Sequence, residues 1–201
     1  MSPPARATSV AQLEALIAAL IAKGIVTEAE LAERQASTDR ASPEIGARMV
    51  ARAWLDPGYR ATLLRDGAAA AEAMGVSMAG APPLGVLENT TTRHHLVVCT
   101  LCSCYPRAVL GYPPHWYKSF AYRARAVREP RAVLAEWGTV LPAGTEVRVV
   151  DSTADYRWMV LPLRPAGTDG WTEDRLAAIV TRDALVGVAL PQAAGAVPQA
   201  A

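Results

Sequence analysis

His95-Leu-Val-Val-Cys-Thr-Leu-Cys-Ser-Cys-Tyr105, HLVVCTLCSCY, carries an apolar run straight into all three cysteines of a 201-residue chain. The run HLVVC reads as a strand that ends on the first of the cysteines. An odd number of cysteines, with none elsewhere, excludes a disulfide framework and points to a reducing interior. A Cys102–Cys104 bridge would close a small strained ring and leave Cys99 alone. Inert packing does not explain three thiols this close, because crowded thiolates repel unless a cation neutralises them. The cluster reads as a metal site.

A structural zinc site takes four side-chain ligands, often from two separated C-x2-C knuckles. Here C-x2-C-x-C has no second half. His94 and His95 are fourth-ligand candidates, but they run into the apolar LVV and read as strand residues with one face out. In Cys-Ser-Cys both side chains and the intervening amides can face one point. An ion acidic enough to strip the amide protons of Ser103 and Cys104 could take two amidate nitrogens and three sulfurs. That set suits a trivalent low-spin metal such as cobalt or iron, and leaves one position open for chemistry. With such an ion the cluster carries about two negative charges and must be held by cations and hydrogen-bond donors. A non-catalytic cobalt carrier would need a more labile site, and a zinc module a fourth side chain.

Upstream, residues 9 to 75 read as helical. Leu13, Ile17, Leu20 and Ile21 form one apolar helical face, and Thr27 with Glu30 makes a capping box for EAELAERQA. Ser42-Pro43 opens EIGARMVARAWL, Asp56-Pro57 breaks and restarts the helix, and Gly75 ends AAAAEAMG. Beyond, LGVLE, HLVVC, EVRVVD and YRWMVLP read as strands, while Pro130 begins PRAVLAEWG and Thr172 caps EDRLAAIV. The expectation is an α+β fold: a layered α-β-β-α core forming a metal-binding catalytic domain over 42–201, with a helical N-terminal extension over 1–41. An apolar helix ahead of a complete domain needs a surface to lie on, either the chain's own core or a partner chain, and the partner is the expected one. MAGAPPLG and PQAAGAVPQAA read as a loop and a frayed terminus.

Hydrophobic residues make up 51% and the net charge is +1, so nucleic-acid binding has no electrostatic support. Gln12 and Glu14 interrupt any signal-like core, and no run reaches membrane-span length. The expected setting is cytoplasmic.

The motif VCTLCSCY, with LGYPPHWYKSFAYRARAVREPRAVLAEWG and RWMVLPLRPAGTDGWTEDRLAAIVTRDALVGVALP after it, resembles the metal-carrying α subunit of nitrile hydratases. It is also similar to the γ subunit of thiocyanate hydrolase. The similarity spans about residues 42–191. The resemblance implies that Cys99, Cys102 and Cys104 ligate through sulfur, and Ser103 and Cys104 through backbone nitrogen. It implies further that Cys102 matures to a sulfinic acid and Cys104 to a sulfenic acid. Thr100 and Tyr105 match cobalt-type members, so the implied cofactor is non-corrin cobalt(III) rather than iron(III). The implied reaction adds water to a nitrile to give the amide, with Cys102, Ser103 and Cys104 catalytic. The implied partners are a β subunit, or split β-type subunits, supplying two arginines, and a cobalt-inserting activator protein.

Two departures bear on the substrate. Nitrile hydratases commonly carry Trp three residues after the last cysteine; here Arg107 stands there, as in thiocyanate hydrolase, where a guanidinium can meet an anion. MAGAPPLG replaces a Gln-Gly-Glu stretch, yet its short form resembles nitrile hydratases, since thiocyanate hydrolase is longer there. His95 and His115 stand where Asn is frequent. Arg107 is the expected substrate-binding residue. A polar pocket would suit a three-subunit, toyocamycin-type nitrile hydratase acting on a nucleoside nitrile. The alternative is a thiocyanate hydrolase γ subunit giving carbonyl sulfide and ammonia.

Overall fold

A computed structural model of the chain describes residues 5–193. The chain forms two compact units, one up to Arg40 and one from Ala41. The first holds α1 (Ala5–Ala22) and α2 (Glu28–Arg40). The capping box forms as read: Thr27 N–H donates to Glu30 Oε2 at 2.8 Å, and Glu30 N–H to Thr27 Oγ1 at 3.1 Å. Of the four apolar residues assigned to one face of α1, Ile17, Leu20 and Ile21 are half-buried and Leu13 is exposed.

The second unit begins with α3 (Pro43–Leu55), α4 (Pro57–Arg65) and α5 (Gly67–Glu72). Proline starts α3 and α4 because its fixed φ suits a first turn that has no amide bond to lose. Asp56 both closes α3 and caps α4, accepting from Gly58 N–H at 2.8 Å and Tyr59 N–H at 3.0 Å. Ser42 makes no side-chain cap. The buried face of α3 includes Gly46, Ala47, Met49, Val50 and Ala53.

Among the described residues four strands follow: β1 (Leu84–Glu88), β2 (Arg93–Val98), β3 (Glu146–Asp151) and β4 (Arg157–Leu161). β1 pairs with β4 and β2 with β3, both in parallel. Parallel pairs need long crossovers. The β2–β3 crossover carries the cysteine loop, α6 (Arg107–Leu110), α7 (His115–Lys118), α8 (Phe120–Arg128) and α9 (Pro130–Glu136). Helices α4 and α5 pack on β1, β4 meets β2, and α8 and α9 pack on β2 and β3, which is the layered arrangement expected. α10 (Glu173–Ala177), capped by Thr172, lies on α3, and a 3₁₀ turn at Ala184–Val186 packs on β4 and β2. Among the described residues no helix is long and apolar enough to cross a membrane.

His94 and His95 correct one expectation: neither has a face out, and both are buried. β2 is covered on both sides, so its two imidazoles must find partners inside. His94 Nε2–H donates to the Gly187 carbonyl at 2.7 Å, which leaves Nδ1 to accept from Asn89 Nδ2–H at 3.0 Å. Asn89 Oδ1 then accepts from His95 N–H at 2.8 Å and His95 Nδ1–H at 3.1 Å. Gly187 is obligatory there: its φ is 83°, and a Cβ would stand 1.9 Å from the His95 carbonyl oxygen.

Candidate metal centre

The loop starts at the carboxyl end of β2, whose last residue Val98 is level with Asp151 at the end of β3. Ser152 N–H extends the ladder by donating to Val98 O at 2.7 Å. Two strand ends therefore set the entry to the loop. Cys99 and Cys104 are buried, and Cys102 is exposed between them.

The three sulfurs lie within 4.8 Å of one another. Cys99 Sγ and Cys102 Sγ are 3.5 Å apart, and Cys102 Sγ and Cys104 Sγ 3.3 Å. Two sulfurs at right angles on one ion, with bonds of about 2.3 Å, would be about 3.3 Å apart. The donor set therefore fits a single thiophilic metal ion with cis sulfurs. The amides face inward too: Cys102 N–H donates to Cys99 Sγ at 3.2 Å, and the Ser103 and Cys104 amides bear on the Cys102 sulfur. Among the described residues no histidine or carboxylate joins the group. Both strand histidines are engaged elsewhere, so a fourth side-chain ligand for zinc is not at hand.

Electrostatics divide the thiols. Cys102 is drawn down to about 7, chiefly by hydrogen bonds from Cys104 and Cys99 and then by the Ser103 amide. Cys104 is pushed up to about 12, chiefly by burial and by sharing protons with the same neighbours. The first negative charge of the cluster therefore sits at the solvent side, on Cys102. Arg157, with Nη1 buried and lacking a hydrogen-bond partner, favours a charged Cys104 through space.

Asp151, Arg123 and Tyr117 support the loop and are not legible as site residues in the sequence. Thr100 N–H donates to Asp151 Oδ1 at 3.0 Å, and its hydroxyl to Asp151 Oδ2. Arg123 Nη1–H donates to Thr100 O at 3.3 Å. The Tyr117 hydroxyl donates to Cys104 O at 2.9 Å, and the Tyr105 ring packs edge-on against Tyr117. Only their placement by β3, α7 and α8 reveals them. Arg107, singled out by its distance from Cys104 in sequence, is exposed at the first turn of α6 with its guanidinium 4.3 Å from the Tyr112 ring centre. Ser103, between Cys102 and Cys104, is half-buried.

The family model for the nitrile hydratase alpha chain matches residues 7–189. The chain is 50% identical over 182 residues to the low-molecular weight cobalt-containing nitrile hydratase subunit alpha of Rhodococcus rhodochrous, covering 90% of this chain and 88% of that one. It is 52% identical over 161 residues to thiocyanate hydrolase subunit gamma of Thiobacillus thioparus, covering 75% of this chain and 66% of that one. A solved structure of an arginine-to-tryptophan mutant of thiocyanate hydrolase superposes with a TM-score of 0.86 at 42% identity, over 95% of this chain and 92% of that one.

Proposed function

The chain belongs to the nitrile hydratase alpha-chain family, and we infer that it is the metal-carrying subunit of an enzyme adding water to a nitrile to give the amide. The observation that carries this reading is three sulfurs within 4.8 Å of one another, with the Ser103 and Cys104 amides bearing on the Cys102 sulfur and, among the described residues, no histidine or carboxylate in the group. Cys99, Cys102 and Cys104 hold non-corrin cobalt(III) by sulfur, and Ser103 and Cys104 by backbone nitrogen. Bound there, cobalt(III) supplies a Lewis acid that polarises the C≡N bond and acidifies water. The cobalt-containing relative from Rhodococcus rhodochrous supports this metal.

Cys102 carries the sulfinic acid and Cys104 the sulfenic acid. Oxidation follows thiolate character and access, and Cys102 is the exposed, readily ionised thiol while Cys104 is buried. The sulfenate oxygen of Cys104 acts as base, taking a proton from the water that adds to the nitrile carbon, or as nucleophile, bonding that carbon and giving its oxygen to the amide before water restores the sulfenate at sulfur. The Ser103 hydroxyl hydrogen-bonds within this shell. Water supplies the oxygen and two hydrogens of the amide, so no redox step is needed.

Partner subunits complete the site. An anionic cluster needs cations, and the family pattern supplies two arginines from a β subunit or split β-type subunits. Leu101, 87% exposed inside the motif, and Phe120, 79% exposed, give an apolar rim suited to burial under such a partner. A cobalt-inserting activator and a cytoplasmic setting complete the reading.

Arg107 favours the second reading, a thiocyanate hydrolase γ subunit, because an exposed guanidinium beside the motif can receive an anion. The deciding experiment incubates the cobalt-loaded complex with an apolar nitrile, a nucleoside nitrile and thiocyanate. Amide from a nitrile, with thiocyanate inert, is expected. Carbonyl sulfide from thiocyanate would move the assignment to the second reading, and bound zinc with no added oxygen by intact mass would end both.

A further inference from the structure

The cysteine loop is held at its middle by residues that are neither ligands nor neighbours in sequence. Thr100 lies between Cys99 and Cys102 and gives both its donors to one carboxylate, N–H to Asp151 Oδ1 at 3.0 Å and hydroxyl to Asp151 Oδ2. Its carbonyl accepts from Arg123 Nη1–H at 3.3 Å. The polar groups of Thr100 thus end on charged side chains from β3 and α8. The strand pair does not depend on this, because Ser152 N–H already closes the ladder on Val98 O. Thr100 and Asp151 are both exposed, so these contacts bury little and add little stability. What they restrict is the conformation of the Cys99–Cys102 span.

We propose that Asp151 is a positioning residue for the metal. With Arg123 it fixes the Thr100 peptide, and so holds Cys99 Sγ and Cys102 Sγ 3.5 Å apart, close enough for both to bind one ion. The inference rests on the reading that these cysteines bind cobalt. Groups that orient ligands from outside the coordination shell commonly change metal affinity or activity by roughly 10- to 100-fold when altered. Asp151 does this across 51 residues of sequence from Thr100.

The test uses the cobalt-loaded complex with its partner subunits, as wild type, Asp151→Asn, Thr100→Val, the double variant and Thr100→Ser. Asp151→Asn keeps an acceptor for the amide and loses the second carboxylate oxygen. Thr100→Val loses only the hydroxyl, and Thr100→Ser keeps both donors. Cobalt retained against a chelator, the sulfur-to-cobalt absorption band, melting temperature, kcat and KM are measured. Asp151→Asn and Thr100→Val are each expected to shift the band and speed cobalt loss roughly tenfold. In both, kcat falls more than KM changes, and melting is little affected. The double variant should be no worse than either single one, since both remove the same contact, and Thr100→Ser should match wild type. A wild-type band and chelator resistance in Asp151→Asn would overturn the proposal. So would additive losses in the double variant, or a melting change with the band unmoved. A wild-type complex that retains no cobalt would instead overturn the metal reading, and this proposal with it.

Discussion

The loop from Cys99 to Tyr105 and the segment from Pro106 to Tyr112 are adjacent in sequence and held in opposite ways. The loop is gripped from outside: Asp151 and Arg123 hold Thr100, Tyr117 holds the Cys104 carbonyl, and Tyr105 is buried. The segment after it anchors only its inner face, through Val109 and Leu110, and turns Arg107 outward onto the exposed ring of Tyr112. Ligand geometry is thus held by contacts from β3, α7 and α8, while the residue expected to select the substrate is left to the surface. Changes in the first region should alter metal binding or stability, and changes in the second should alter preference among substrates.

The largest effect belongs to the donors. Replacing Cys99, Cys102 or Cys104 singly with Ser should abolish cobalt retention, read by elemental analysis, because the chain has no other thiol. Full occupancy in any one of these would show that the replaced cysteine is not a ligand. Next comes Tyr117→Phe, which leaves the Cys104 carbonyl without its buried donor. It should cost about 1–3 kcal/mol in denaturant unfolding, and a loss below about 0.5 kcal/mol would mean that the loop exit is held by something else.

A smaller effect is expected from pH. Burial first, and then the Arg93 charge, lower His95; burial lowers His94. Their folded values lie below the ordinary value near 6.5, so in that window the unfolded chain binds more protons and stability rises with pH. The cobalt-loaded protein should therefore lose stability as pH falls below about 6.5. His95→Asn should flatten that acid limb in thermal unfolding measured across pH. An unchanged slope would show that His95 does not titrate with folding.

Smallest in stability is Arg107→Trp. An exposed cation–π contact contributes about 0.5–1 kcal/mol, so melting should barely move while specificity shifts toward small apolar nitriles in steady-state kinetics. Identical specificity ratios would mean that Arg107 never faced the substrate. A stability loss above about 2 kcal/mol would mean that the second segment is held as firmly as the first.

Much of the fold was legible because its signals are local. The capping box at Thr27 and Glu30, the prolines opening α3, α4 and α9, and the Thr172 cap all act within one turn of helix. The strands β1 and β3 match LGVLE and EVRVVD because short β-branched and apolar runs have few alternatives. The face of His94 and His95 was not legible. Alternation places them on opposite sides of β2, and only packing on both sides shows that neither side meets solvent.

The sequence alone supplies the sulfur donors of the candidate centre. Three thiols at C-x2-C-x-C spacing, with no partner cysteine elsewhere, define a sulfur donor set whatever the rest of the chain does. The tertiary structure decided which residues hold those donors in place. Asp151, Arg123 and Tyr117 reach the loop only because β2 and β3 pair in parallel and the crossover between them folds α7 and α8 back beside it. Ligand identity is a property of a few adjacent residues. Orientation is a property of contacts that span tens of residues, and no local pattern encodes those.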